Sequence, residues 1–136
     1  MKNIIIILMT CILSIGCSKV TKEDIENSLI GKWQLIETCE GGTPTGWACN
    51  PVEDGLIFNF KNDNSFSKEG GLLENCNLGT YTYNNTNIIL IYNNSECENV
   101  NEPIERIFTF ENKDLVLSPL IGLCPEGCTS RYKKIL

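Results

Sequence analysis

Residues 78–92 read LGTYTYNNTNIILIY. Strand side chains point alternately to the two faces, so a run with a bulky apolar residue at every second place reads as half-buried sheet. Tyr81 and Tyr83 stand on one side of Asn84-Asn85-Thr86, and Ile88, Leu90 and Tyr92 follow on the other. Asparagine tolerates left-handed backbone, so these three linking residues predict a tight hairpin. The alternation continues outward in both directions through Leu56/Phe58/Phe60, Phe108/Phe110 and Leu115/Leu117. Strands are expected at 32–38, 55–60, 64–68, 78–83, 87–92, 104–110, 114–118 and 130–136. Before them, TKEDIENSLI (Thr21 to Ile30) reads as a short helix, capped by Thr21, acidic in its first turn and ended by Gly31.

The links sort by length. Lys61-Asn62-Asp63, Asn84-Asn85-Thr86 and Glu111-Asn112-Lys113 are tight, whereas 39–54, 69–77, 93–103 and 118–129 are long. In an up-and-down meander successive connections alternate between the two ends, which puts all long links at one end. The expected fold is therefore all-β: an eight-stranded antiparallel up-and-down barrel with a plain base, an elaborate rim and a short N-terminal helix.

Every long link carries cysteine: Cys39, Cys49, Cys76, Cys97, Cys124 and Cys128. In an exported chain six such cysteines read as three disulfides, with fifteen connectivities open. Strand polarity favours Cys76 with Cys97, which flank the 78–92 hairpin, and the local pairs Cys39 with Cys49 and Cys124 with Cys128. A zinc site at Cys124/Cys128 is the weaker reading, because the chain has no histidine. No metal and no cofactor are expected.

The N-terminus says where the protein works. Lys2 precedes an apolar run from Ile4 to Ile15, too short to cross a ~30 Å hydrocarbon layer and laid out like a secretory signal peptide. Ser14-Ile15-Gly16-Cys17 resembles the lipobox of bacterial lipoproteins, although Ser14 replaces the usual aliphatic residue. The resemblance implies a signal peptide over 1–16, lipid attachment at Cys17 and a mature domain over 17–136. The alternative is an ordinary signal peptide followed by a disulfide cysteine. Two or three acyl chains hold a protein stably on a bilayer. Ser18 favours the outer membrane by the same resemblance, with the membrane face left open. Lys22-Glu23-Asp24 is similar to surface-export signals of Bacteroidetes lipoproteins, and reads equally as a solvated helical turn.

Mature residues 17–136 carry ten Lys and Arg against seventeen Asp and Glu, a net charge of −7, with no basic cluster to hold nucleic acid. The usual histidine base for nucleophilic catalysis is absent, and so are phosphate-binding and dinucleotide fingerprints. Paired acids such as Glu96/Glu98 and Glu102/Glu105 read as solvated loop residues, so no enzyme is expected.

Gly31-Lys32-Trp33, opening the first strand, resembles the Gly-x-Trp signature of lipocalins and the wider calycin group. With Phe58-Asn59-Phe60, Gly79-Thr80-Tyr81 and Arg131-Tyr132-Lys133-Lys134, the chain is similar to small lipocalin-like lipoproteins of Bacteroidetes. In lipocalins an arginine packs over the tryptophan. Arg131 falls at the wrong end of its strand here, so Lys133 or Lys134 must take that place. The resemblance implies a small apolar or amphipathic ligand at the barrel mouth, with Trp47, Leu56, Tyr92, Leu117 and Tyr132 as candidate lining. The competing expectation is a barrel plugged by Phe58, Phe60, Phe66, Phe108 and Phe110, whose stapled rim engages another envelope protein.

Overall fold

The computed structural model describes residues 28–43, 46–71, 76–95, 97, 100–120 and 128–136, with residues 42, 43, 46 and 47 described by backbone alone. The strands are β1 (Gly31–Thr43), β2 (Gly46–Pro51), β3 (Ile57–Phe60), β4 (Ser65–Glu69), β5 (Leu78–Tyr83), β6 (Asn87–Tyr92), β7 (Pro103–Glu111), β8 (Asp114–Pro119) and β9 (Cys128–Ile135). All but β2 form an antiparallel meander, and β1 pairs back onto β9 between Lys32 and Glu40, closing an eight-stranded barrel. The fold expected from the alternation is the fold observed.

The tight base turns form as their residues dictate. Asn84 Oδ1 accepts hydrogen bonds from the Thr86 and Asn87 amides at 2.9 and 2.8 Å. Asn112 and Lys113 both take left-handed backbone, with φ of 52° and 75°, in the two-residue turn between β7 and β8. At the β3–β4 turn Asp63 accepts from the Ser65 hydroxyl and, at 3.0 Å, from the Ser65 amide, and these bonds, the hydroxyl's foremost, hold its carboxyl below the usual range.

The structure differs from expectation in three places. The 39–54 link is largely strand: β1 runs on to Thr43 and pairs with β2, Cys39 lying opposite Cys49. Beside β1, β3 occupies the first half and β2 the second; the changeover comes at Ile36, an extra residue in the β1–β9 ladder. There the Leu35 amide donates to Leu56 O and the Val52 amide to Ile36 O. Gly55 sits against this crossing, where a Cβ would run into the Leu35 carbonyl. Secondly, β9 starts at Cys128 rather than 130, so Arg131 lies inside the strand. It contacts Glu37, Glu111 and Asp114 at 3.2, 2.9 and 3.8 Å, a half-exposed network of modest value. Thirdly, Ser28, Leu29 and Ile30 are not helical. The rest of the expected helix, 21–27, lies outside the described residues, as do the signal-peptide segment 1–16 and Cys17.

The core fills the base half. Trp33, Phe60, Phe66, Tyr81, Ile88 and Leu115 are fully buried. Edge-on contacts link Phe60 to Tyr81 at 5.0 Å and Phe58 to Phe66 at 5.9 Å between ring centroids. Buried polar atoms find partners: the Tyr81 hydroxyl donates to Lys61 O at 2.7 Å, and Trp33 Nε1 to Leu29 O at 2.7 Å. Gly79 has no side chain because the Phe66 ring occupies that place, its edge meeting the Tyr92 ring at 5.2 Å. Gly79→Ala forces the new methyl into that ring and the Ile91 carbonyl, so urea unfolding should show a loss of about 1–3 kcal/mol. A loss under about 0.5 kcal/mol would contradict this packing.

Candidate functional site

β1, β4, β6 and β8 run from base to rim, and their partners run back. The ends of the even-numbered strands from β4 to β8 therefore share the rim with the starts of β3, β5, β7 and β9. Cys39–Cys49 and Cys76–Cys97 are both disulfide-bonded at this end, as expected. Cys128, opening β9, is disulfide-bonded too, while Cys124 lies outside the described residues. Glu37 stands near the Cys39 and Cys49 sulfurs, but sulfurs joined to each other offer no thiolate to a metal.

Beneath the rim the interior is hollow. A cavity of about 400 Å³ opens there, within the ordinary range for small-molecule sites. Alternation aims its lining inward: Leu90 and Tyr92 from β6, Ile104 and Arg106 from β7, Leu117 and Pro119 from β8, and Cys128, Ser130 and Tyr132 from β9. Leu56 and Phe58 form another wall with Lys68. Of the five candidate mouth residues, Leu56, Tyr92, Leu117 and Tyr132 lie together on this one cavity. Trp47 belongs to β2 by its backbone, and its side chain lies outside the described residues. Of the five phenylalanines expected to plug the barrel, Phe58 lines the cavity; Phe60, Phe66 and Phe108 are buried, and Phe110 packs against that core.

A family model for the lipocalin-like domain matches residues 29–117 of this chain. The chain belongs to the lipocalin-like domain family. No curated protein matches it closely enough to count as a relative.

The signature residues of this lipocalin-like barrel have a clear physical role at the base. Trp33 lies opposite Phe58 on one side and Lys134 on the other. That register sets the Lys134 Nζ 5.1 Å from the Trp33 ring centroid, while the ammonium donates to Ser28 O at 2.9 Å. Lys134, rather than Lys133, thus fills the place of the lipocalin arginine. Burial holds Lys134 below the usual lysine range. At Gly31, whose φ is 129°, a Cβ would crowd the Lys134 stem at 3.0 Å.

Lys68 and Arg106 are the lining residues that reading for apolar positions missed. Both were legible by parity: Lys68 follows Phe66 by two, and Arg106 precedes Phe108 by two, so each faces inward. Lys68 is half-buried with its Nζ 5.4 Å from the Tyr92 ring centroid, and burial holds it below the usual lysine range. Burial pushes the Tyr92 phenol up against a counteracting pull from Arg106.

Tyr132 is the most perturbed of the lining groups. Burial drives its phenol up to about 12; a hydrogen bond to Ser130 and the nearby Arg106 pull down, and Tyr92 pushes up. Its folded pKa is raised above the unfolded value near 10, so the associated stability is intact below pH ~10 and is lost as pH rises toward ~12. The wild-type barrel should lose roughly 2–3 kcal/mol more across this window than Tyr132→Phe, measured by urea unfolding at stepped pH. Equal slopes for the two proteins would contradict a buried neutral phenol.

Proposed function

We propose that this protein is a lipid-anchored, non-catalytic binding protein of the bacterial cell envelope, holding a small apolar or amphipathic ligand in the rim cavity. The observation that carries the reading is the hollow of about 400 Å³ above a solid aromatic base. Filling it removes apolar side chains such as Leu56, Leu90 and Leu117 from water, at about 25 cal/mol per Å². Membership of a family whose barrels generally bind small ligands supports the same conclusion. A barrel plugged to its mouth, as the protein-docking alternative requires, is not favoured by that hollow.

The anchor rests on the sequence: Lys2, the Ile4–Ile15 run and Gly16-Cys17 support lipidation of Cys17 after cleavage of 1–16, and Ser18 supports the outer membrane. Native mass spectrometry of protein purified from its own membranes, followed by solvent extraction, tests the binding. A stoichiometric small molecule that leaves on extraction is expected; a protein of bare mass that takes up no added amphiphile would refute it. Incorporation of labelled fatty acid, abolished by Cys17→Ser, tests the anchor, and incorporation unchanged in that variant would overturn it.

A further inference from the structure

The charge lining the cavity runs against the charge of the chain. The sequence carries a net charge of −6, yet the charged side chains among the described lining are Lys68 and Arg106, with no carboxylate beside them. Neither forms an ion pair with a described residue, whereas Arg131 on the same barrel gathers three carboxylates around it. A half-buried cation facing an apolar hollow loses hydration without recovering it from a partner, and this cost is justified at a site that receives an anion.

The two cations converge. Lys68 comes from β4 and Arg106 from β7, and both act on Tyr92 of β6: the ammonium lies over its ring and the guanidinium acts on its phenol. The intervening strand β5 puts Gly79 beside Tyr92, where the Phe66 and Tyr92 rings meet at 5.2 Å between centroids. The walls around them are apolar, from Phe58, Leu90 and Leu117. The hollow thus sets two cations among apolar walls.

We infer that the ligand is a single-chain anionic amphiphile whose carboxylate-type head is held by Arg106 and Lys68, with its tail packed down on Phe58, Leu90 and Leu117. The inference rests on the proposed reading of the cavity as a ligand site. Arginine offers a planar fork that matches a carboxylate in a bidentate pair, and Lys68 supplies a second, point-like charge. The Tyr92 and Tyr132 phenols stay neutral and remain hydrogen-bond donors to the same head. At about 400 Å³ the hollow lies toward the small end of ordinary ligand sites, the scale of a single-chain acid.

The test is calorimetric titration of disulfide-intact Cys17→Ser protein, which carries no lipid, with decanoate, 1-decanol and decyltrimethylammonium below their micellar limits. The three share one tail and differ in head charge. Decanoate should bind about 10- to 100-fold more tightly than decanol, the worth of a hydrogen-bonded charge, and the cation most weakly. In R106Q and K68Q, each checked for folding by thermal melting, the ratio of decanoate to decanol affinity should fall toward one. Decanol or the cation binding as tightly as decanoate would overturn the anionic class and leave the ligand site standing. If none of the three binds, the ligand-site reading fails with it. Should a variant not fold, the order of the three probes on unsubstituted side chains decides alone.

Discussion

Trp33→Ala should cost the barrel about 3–5 kcal/mol in urea unfolding followed by far-ultraviolet circular dichroism. The ring is fully buried where β1, β3 and β9 meet, and its loss leaves a cavity that the closed sheet cannot collapse. It also strands the Leu29 carbonyl, which accepts from Trp33 Nε1, and removes the face on which Lys134 rests. A domain of this size has about 5–15 kcal/mol of stability in all, so the variant should sit near the edge of folding. Trp33→Phe keeps the packing but loses the N–H, and should fall between. A cost below about 1 kcal/mol for the alanine variant would mean that the base is not organised around this ring.

Reduction of the disulfides is the second large effect. Cys39–Cys49 and Cys76–Cys97 close loops of 10 and 21 residues. By loop-closure entropy each contributes about 3 kcal/mol, the longer loop slightly more. Together they amount to much of the stability a domain this size possesses, so reductant should lower the urea midpoint strongly. The paired substitutions Cys39→Ser with Cys49→Ser, and Cys76→Ser with Cys97→Ser, should each give a comparable part of the loss, and the Cys128 bridge, which reductant also opens, the remainder. The rim suffers first, since both bridges lie at that end and the base turns depend on Asn84, Asp63 and Asn112 instead. An unchanged midpoint in reductant would show that the staples carry none of the stability.

The hairpin 78–92 was legible to the residue: β5 and β6 have the predicted bounds because alternation is uninterrupted and Asn84 fixes the turn. The β1–β2 extension was not. Gly41, Gly42, Pro44 and Gly46 are poor strand formers, and what holds this ribbon is pairing to β9 and the cross-strand Cys39–Cys49 bond. Propensity saw a loop where tertiary pairing makes a strand. The helical pattern of 21–30 likewise did not extend through Ser28–Ile30, where those residues instead cap the base through Leu29 O and Ser28 O. At the cavity, the apolar lining was readable from its parity. Lys68 and Arg106 were less readily so, since charge ordinarily marks the solvent face, although their neighbours two places away point inward.

The most direct measurement is an amide nuclear magnetic resonance titration of the Cys17→Ser protein with decanoate. Shifts should concentrate at Leu56, Tyr92, Arg106, Leu117 and Tyr132, the residues around the rim cavity, while the base-turn amides of Asn84 and Asn112 hold still. Shifts centred on those turns or on the outer face, or none at all, would contradict a cup that takes its ligand through the stapled end.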